Sequence, residues 1–434
     1  MASTGERVCP HNGAMAETSL LELFPETAKV DDGKLVLGGV GASELVREHG
    51  SPLVVYDERT LRAQARAYTT AAPGALVVYG TKAFPSLALL RLFADEGLGA
   101  DVSTLGELAF ARVAGIDGDR LIMHGNNKSD AEVAAAAAAG ALVVADSLEE
   151  IDRAGAAGVE RLLVRVTPGI EADTHEAVRT AHHGSKFGLP PEDALQALRR
   201  APHAEGLHVH VGSQLLHLAA ALMTVDWLAT FAARAREELG WTPRLVNLGG
   251  GLGVRHVAEE PRFPVEEFVG GLLGELERAW HLQRLPTPRV ALEPGRSLVA
   301  RAGVTLYSIG TVKRTSGART YVAVDGGMSD NPRPALYGAR YTALLANRAD
   351  EAADGVYAVA GKHCESGDVL IERVELPAPR RGDILAVPVT GAYTLAMSSA
   401  YNAVPRPAAV LVCDGQARVI RRRETIDDLL ALEA

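Results

Sequence analysis

The chain has 434 residues, 47% hydrophobic and 23% charged, enough for a large core and two domains of ordinary globular composition. Its 44 basic residues against 54 acidic ones leave a net charge of −10, which gives no electrostatic attraction to a nucleic-acid backbone or an anionic membrane. Three cysteines, Cys9, Cys364 and Cys413, are too few for a disulfide framework and contain no Cys-x-x-Cys metal pair.

Residues 1–20 carry Glu6, Arg7, His11 and Glu17 and no continuous apolar stretch, so a secretory leader is not expected, and 1–25 are expected to form a loose tail. Residues 26–50 form a segment expected to pack with a second domain, through a strand at 34–37. Short apolar runs then recur at 75–79, 99–102, 121–124, 141–146, 162–167, 206–211, 244–248 and 288–293. Each is followed by helical periodicity, and continuous runs of this kind suit strands buried on both faces. Three of the following segments open on a capping box: Thr104 with Glu107, Ser129 with Glu132, and Ser147 with Glu150. Eight strand–helix units predict an α/β fold, a (β/α)8 TIM barrel over 51–302, with an open doubly wound sheet as the alternative. The barrel is preferred because its eight strands account for the whole region. The most apolar stretch, 133–145, has 13 residues, short of the roughly 20 that span a bilayer.

After about residue 303 the texture changes. Runs at 305–313, 321–324, 356–360, 369–374, 384–389, 408–413 and 417–421 read as strands with few helices between them, and Asp414-Gly415 is a hairpin signal. A mostly antiparallel β domain is expected over 303–434.

Barrel active sites lie at the C-terminal strand ends. Those ends collect Lys82, Asp101, Ser103, the His124-Gly125-Asn126 turn, Asp146 and Arg165 in the first half, then His210 to Ser213, Gly249 to Gly251 and Glu293 to Arg296. A lysine at a strand end suits capture of a carbonyl cofactor as a Schiff base. Asn247-Leu248-Gly249-Gly250-Gly251-Leu252-Gly253 reads as an anion-binding loop or as a plain turn, and Ser213 can add a hydroxyl. Glu293 suits a protonated pyridine nitrogen or a structural ion pair. His210 suits the face of such a ring or a satisfied core position. Arg333 reads as a carboxylate clamp or a solvated loop residue. Cys364 and Glu365 read as a proton donor and an amine holder, although a lone cysteine is more often a small core residue.

Together these pieces resemble the fold-type III pyridoxal-phosphate decarboxylases, with their alanine-racemase-like barrel and β domain, and among them the diaminopimelate decarboxylases. The matching segments are Tyr79-Gly80-Thr81-Lys82-Ala83, His124-Gly125-Asn126-Asn127-Lys128, His210-Val211-Gly212-Ser213-Gln214, Gly249-Gly250-Gly251 and Glu293-Pro294-Gly295-Arg296. Met328 to Tyr341, Cys364-Glu365-Ser366-Gly367-Asp368 and Gly391-Ala392-Tyr393 complete the set.

The resemblance implies pyridoxal 5'-phosphate as cofactor, no metal, and decarboxylation of meso-2,6-diaminopimelate to L-lysine and CO2. Lys82 would carry the cofactor, with His210 on its ring and Glu293 at its nitrogen. Ser213, Gly250, Gly251 and Arg296 would hold the phosphate, with Pro294 and Gly295 in the same turn. Arg296, Arg333 and Tyr337 would grip the distal carboxylate, Glu365 the distal amine, and Cys364 would protonate the carbanion left by CO2. Tyr393 would close over cofactor and substrate. The Cys364 and Tyr393 segments are expected to cross into a partner's barrel in a homodimer, and a cytoplasmic location is expected. Racemases of similar fold place arginine near the ring nitrogen, so the carboxylate of Glu293 favours decarboxylation. Thr81, Phe84 and the stretch 181–184 depart from the family's usual pattern. They leave open a decarboxylase of another diamino or carrier-tethered amino acid; a non-catalytic cofactor-holding barrel is the remaining alternative.

Overall fold

A computed structural model describes residues 20–169, 185–210, 212–317 and 319–433. Most of the expected tail, the stretch 181–184 and Val211 lie outside the described residues. The end of the tail needs correcting: Leu23 and Phe24 are 2% and 0% exposed. Arg301 fastens them by donating to the carbonyls of Glu22 and Phe24 at 3.1 and 2.9 Å.

All eight expected barrel runs are strands: Leu76–Gly80, Gly99–Val102, Leu121–Met123, Leu142–Ala145, Leu162–Arg165, Gly206–His208, Leu245–Asn247 and Arg289–Leu292. They pair in parallel in chain order and close into a barrel, the last strand returning to the first. Alternation sorts their side chains. Val78, Ile122, Val144, Leu163, Leu245 and Ala291 pack together inside the barrel. Val77, Tyr79, Met123 and Val143 belong to the larger core between strands and helices. Glycine is needed where neighbouring backbones crowd: a Cβ on Gly206 would stand 1.6 Å from the carbonyl oxygen of Leu245.

The capping residues tie helix starts to strand ends. Ser129 and Glu132 make the reciprocal box. Thr104 and Ser147 accept from the third helical N–H as expected, but Glu107 and Glu150 reach one residue further back, to the N–H groups of Ser103 and Asp146 at 2.7 and 2.8 Å. Each longer bond holds the turn that carries polar residues out of the barrel.

A second, nine-stranded sheet follows the order Val369–Leu376, Gly355–Ala360, Thr320–Val324, Gly303–Arg314, Leu53–Asp57, Ala408–Cys413, Gln416–Arg421 along its main path. Most pairs are antiparallel, but Thr320–Val324 with Gly355–Ala360, and Leu53–Asp57 with Ala408–Cys413, run parallel. Asp414 and Gly415, at φ 47° and 80°, make the hairpin turn expected of them. Leu53–Asp57 was not among the expected strands and lies inside the 51–302 range given to the barrel. It pairs with Gly303–Arg314 and Ala408–Cys413 instead. Its five residues are all buried. An apolar run buried on both faces does not reveal which sheet it joins. Strand 34–37 pairs in a separate three-stranded sheet, and Leu35 and Leu37 pack against Val304, Leu306 and Val410 of the second sheet. No helix among the described residues is long and apolar enough to cross a membrane.

The two units meet through glycine. Gly391 donates to Ala300 O at 3.0 Å, and a Cβ there would lie 1.9 Å from Val299 O. This contact sets Tyr393 over the barrel mouth.

Candidate active site

The C-terminal strand ends surround a cavity of about 400 Å³. Lys82 sits on a single turn, Thr81–Ala83, after the first strand. Thr81 Oγ1 anchors that turn to Asp101 O at 2.7 Å. The Lys82 side chain is 51% exposed and its Nζ lies 2.6 Å from Asp101 Oδ2, whose side chain is 1% exposed. Burial alone would lower the ammonium's pKa, but Asp101, Tyr393 and Glu293 outweigh it and raise it above the ordinary lysine value. Lys82 therefore rests as an ammonium and must pass on a proton before it can act as a nucleophile.

Glu293, after the eighth strand, is buried among donors. His124 Nε2 and Asn247 Nδ2 each lie 2.6 Å from Oε1, and His208 Nε2 lies 3.3 Å from Oε2. Burial pushes the carboxyl's pKa up, but His124 and His208 hold it well below the usual range. His208 itself is lowered to about 4 by burial, against the pull of Glu293.

The glycine loop follows the seventh strand. Gly249 and Gly251 have φ of 67° and 107°. A Cβ on Gly250 would stand 2.2 Å from Glu293 O, and one on Gly251 2.3 Å from Gly212 O. Gly250 N–H donates to His210 Nδ1 at 3.2 Å, which fixes the ring beside the loop. Burial, with Arg165 and Lys82, pushes His210 well below the ordinary histidine pKa, so it presents a neutral ring. Ser213, Gln214 and Gly295 also line the cavity. Gly250→Ala should raise the dissociation constant of a bound cofactor roughly tenfold or more, because either the loop or the end of the eighth strand has to move. Fluorescence titration reads this, and an unchanged constant would separate the loop from the cofactor site.

Arg296 borders the same cavity, 9% exposed, with its guanidinium 4.7 Å over the Tyr393 ring. Its Nε and Nη1 are buried without a hydrogen-bond partner. Burial and then Arg333 lower its pKa to about 10. A buried cation with two unmet donors and a second cation near it is a site for an anion. Arg333 is 6% exposed and does not line the cavity. Its Nη1 meets His256 Nε2 at 2.9 Å and Tyr341 Oη at 2.5 Å. Tyr337 is half-buried near Arg296.

Pro294 stands behind the cavity wall, its carbonyl accepting from Gly80 N–H at 2.9 Å. Cys364 and Glu365 are exposed on a loop of the second sheet and do not line this chain's cavity. Tyr393 corrects the expectation that its segment crosses to a partner. Its N–H donates to Ala83 O at 2.9 Å, its φ is 58°, and it lines the cavity of its own chain.

Sequence reasoning gave His208, Asn247, Gln214 and His256 no role. Strand position carried a signal for two of them, since His208 and Asn247 are the last residues of the sixth and seventh barrel strands. Gln214 and His256 had no local signal; their partners are Val254 O, at 2.6 Å, and Arg333.

A lysine at one edge, a carboxylate with spare accepting capacity below, and two unmet arginine donors beside a glycine loop fit a phosphorylated pyridine aldehyde such as pyridoxal 5'-phosphate. The description "Pyridoxal-dependent decarboxylase, pyridoxal binding domain" matches residues 58–300. Over 98% of its length the chain is 46% identical to a diaminopimelate decarboxylase from Actinosynnema pretiosum, covering 98% of that protein. One from Bacillus subtilis is 39% identical, over 92% of this chain and 95% of its own. The crystal structure of a diaminopimelate decarboxylase from M. jannaschii in complex with L-lysine superposes with a TM-score of 0.88 at 30% identity, over 94% of this chain and 98% of that one.

Proposed function

The chain belongs to the pyridoxal-dependent decarboxylases, among the diaminopimelate decarboxylases, and from that membership we infer that it is a carboxy-lyase converting meso-2,6-diaminopimelate to L-lysine and CO2 with pyridoxal 5'-phosphate. The observation that carries the chemistry is a single cavity bordered by Lys82, Glu293 and Arg296. When bound there, the cofactor supplies a carbonyl that joins the substrate's α-amine and a protonated ring that takes up the electron pair released with CO2.

The residues divide the remaining work. Lys82 Nζ is the attachment point, and Asp101 Oδ2 holds its proton whenever the amine is displaced. Glu293 keeps a proton on the ring nitrogen, which favours loss of CO2 over a racemase's proton exchange. His210 covers one ring face. Arg296, Ser213 and the Gly250-Gly251 backbone hold the phosphate, with Tyr393 shielding it from water. Arg333 and Tyr337 stand near Arg296 but outside the cavity lining of one chain, and would meet the distal carboxylate from there, with Glu365 meeting the distal amine. Cys364 Sγ–H delivers a proton to the α-carbon after CO2 departs.

Cys364 and Glu365 stand away from their own cavity, which supports a homodimer in which a second copy of this chain supplies both. A reducing cytoplasm suits the proton-donor role, since Cys364 is a free thiol. A barrel unit near 58–300, joined to a β unit that takes back residues 53–57, is the division these contacts favour.

Purified protein with pyridoxal phosphate should release CO2 from meso-diaminopimelate, with one lysine per CO2, and little from L-ornithine, L-arginine or L-glutamate. Release from none of these, with cofactor bound, would overturn the substrate and favour a carrier-tethered amino acid.

A further inference from the structure

One imidazole under the cavity joins Glu293 to Lys82. His124 follows the third barrel strand, its N–H held by Val102 O at 2.8 Å. Its Nε2 is 2.6 Å from Glu293 Oε1 and 3.7 Å from Asp101 Oδ1. Lys82 Nζ sits 2.6 Å from the other oxygen of the same Asp101. Asp101 Oδ1 is buried and has no hydrogen-bond partner. Lys82, Asp101, His124 and Glu293 thus form one polar row, from the attaching amine to the carboxylate assigned to the ring nitrogen.

We propose that His124 is a positioning residue that orients Glu293 toward the cofactor's ring nitrogen and couples its charge to the Lys82–Asp101 pair. The proposal rests on the reading of Glu293 given above. The two oxygens of that carboxylate are not equivalent. Oε1 takes two short donors, His124 Nε2 and Asn247 Nδ2, both at 2.6 Å. The Asn247 amide cannot turn over, because its Oδ1 accepts from Gly249 N–H at 2.9 Å. Oε2 meets only His208 Nε2, at 3.3 Å. The oxygen with accepting capacity to spare is therefore Oε2.

The bond to Oε1 requires a proton on His124 Nε2, which sets the tautomer. Without that donor, Glu293 keeps only Asn247 and the longer bond from His208, and it loses the neighbour that does most to hold its carboxyl below the usual range. A protonated Glu293 donates where it must accept, and the ring nitrogen it faces loses its proton. Other charged or titratable groups facing the row are Glu107, beside Asp101 and Lys82, Tyr393, beside Lys82, and residues of the fifth and sixth strands. Arg165 is turned toward Asp146, 3.7 Å away, and stacks on Phe187 at 4.7 Å. Burial lowers the pKa of His208 and of His210, so neither brings a positive charge to the row.

His124→Gln and His124→Asn test this. The glutamine amide nitrogen lies as many bonds from Cα as Nε2 and can still donate to Glu293; the asparagine amide stops one bond short. In the holoenzyme without substrate, His124→Asn should raise the cofactor's dissociation constant about tenfold or more. It should also move the pH midpoint of the cofactor's visible absorbance by about one unit. His124→Gln should stay within about threefold of the parent. No change in His124→Asn overturns the proposal, and so does an equal loss in both variants, which is the signature of a packing role. If His124→Asn does not fold, loss of cofactor from His124→Gln overturns it instead. Glu293→Gln, measured alongside, separates the two readings. If it also changes nothing, Glu293 is not the nitrogen's partner; if it shifts both readouts while His124→Asn does not, only the role of His124 fails.

Discussion

Lys82→Ala is expected to lower decarboxylation by at least about a thousandfold and to remove the absorbance of covalently held cofactor. The loss follows from position. Lys82 places its amine in the cavity from a turn anchored by Thr81, while Asp101 behind it is almost wholly buried. Removing the amine also leaves Asp101 without its cation, a structural cost that alone would blur the result. Lys82→Arg removes that ambiguity. Arginine keeps a positive charge beside Asp101, yet its guanidinium does not give up a proton to become a nucleophile. Both variants should be inactive, and Lys82→Arg should melt close to the parent. More than a tenth of parental turnover in either would end the assignment of Lys82.

The second large effect concerns Cys364. Cys364→Ala should cost about 10² to 10⁴ in turnover, the usual worth of a positioned proton donor. Mixing it with Lys82→Ala should then restore activity. Random re-pairing makes half the dimers mixed, and each mixed dimer holds one site with both Lys82 and Cys364 intact, so recovery should reach about a quarter of parental activity. The exposed Cys364 loop, held by Asn402 Oδ1 at 3.1 Å from the Cys364 N–H, is what motivates the experiment. If subunits exchange and no activity returns, Cys364 does not act across an interface. Tyr393 should not complement in this way, because it borders the cavity of its own chain.

Much of the fold is local in origin, and that part was legible in the chain. Each barrel strand is a short continuous apolar run, and each following helix carries its own periodicity and often its own cap, so neighbours in sequence are enough to define them. The strand-end chemistry of Lys82, Glu293, Arg296 and the glycine loop came with them, because a barrel places all its C-terminal strand ends on one face. Three things were decided only by packing. Leu53–Asp57 joins the second sheet because its edges are met by strands about 250 and 350 residues away, a pairing no local pattern encodes. Tyr393 returns to its own barrel because Gly391 has no side chain to keep Val299 and Gly303 apart. His124, His208 and Asn247 converge on Glu293 from the ends of three different strands, with bonds that span 169, 85 and 46 residues. The sequence by itself determined which residues reach the mouth of the barrel. Only the tertiary structure decided which of them touch, since hydrogen bonds form at distances of a few ångströms between groups that the chain keeps far apart.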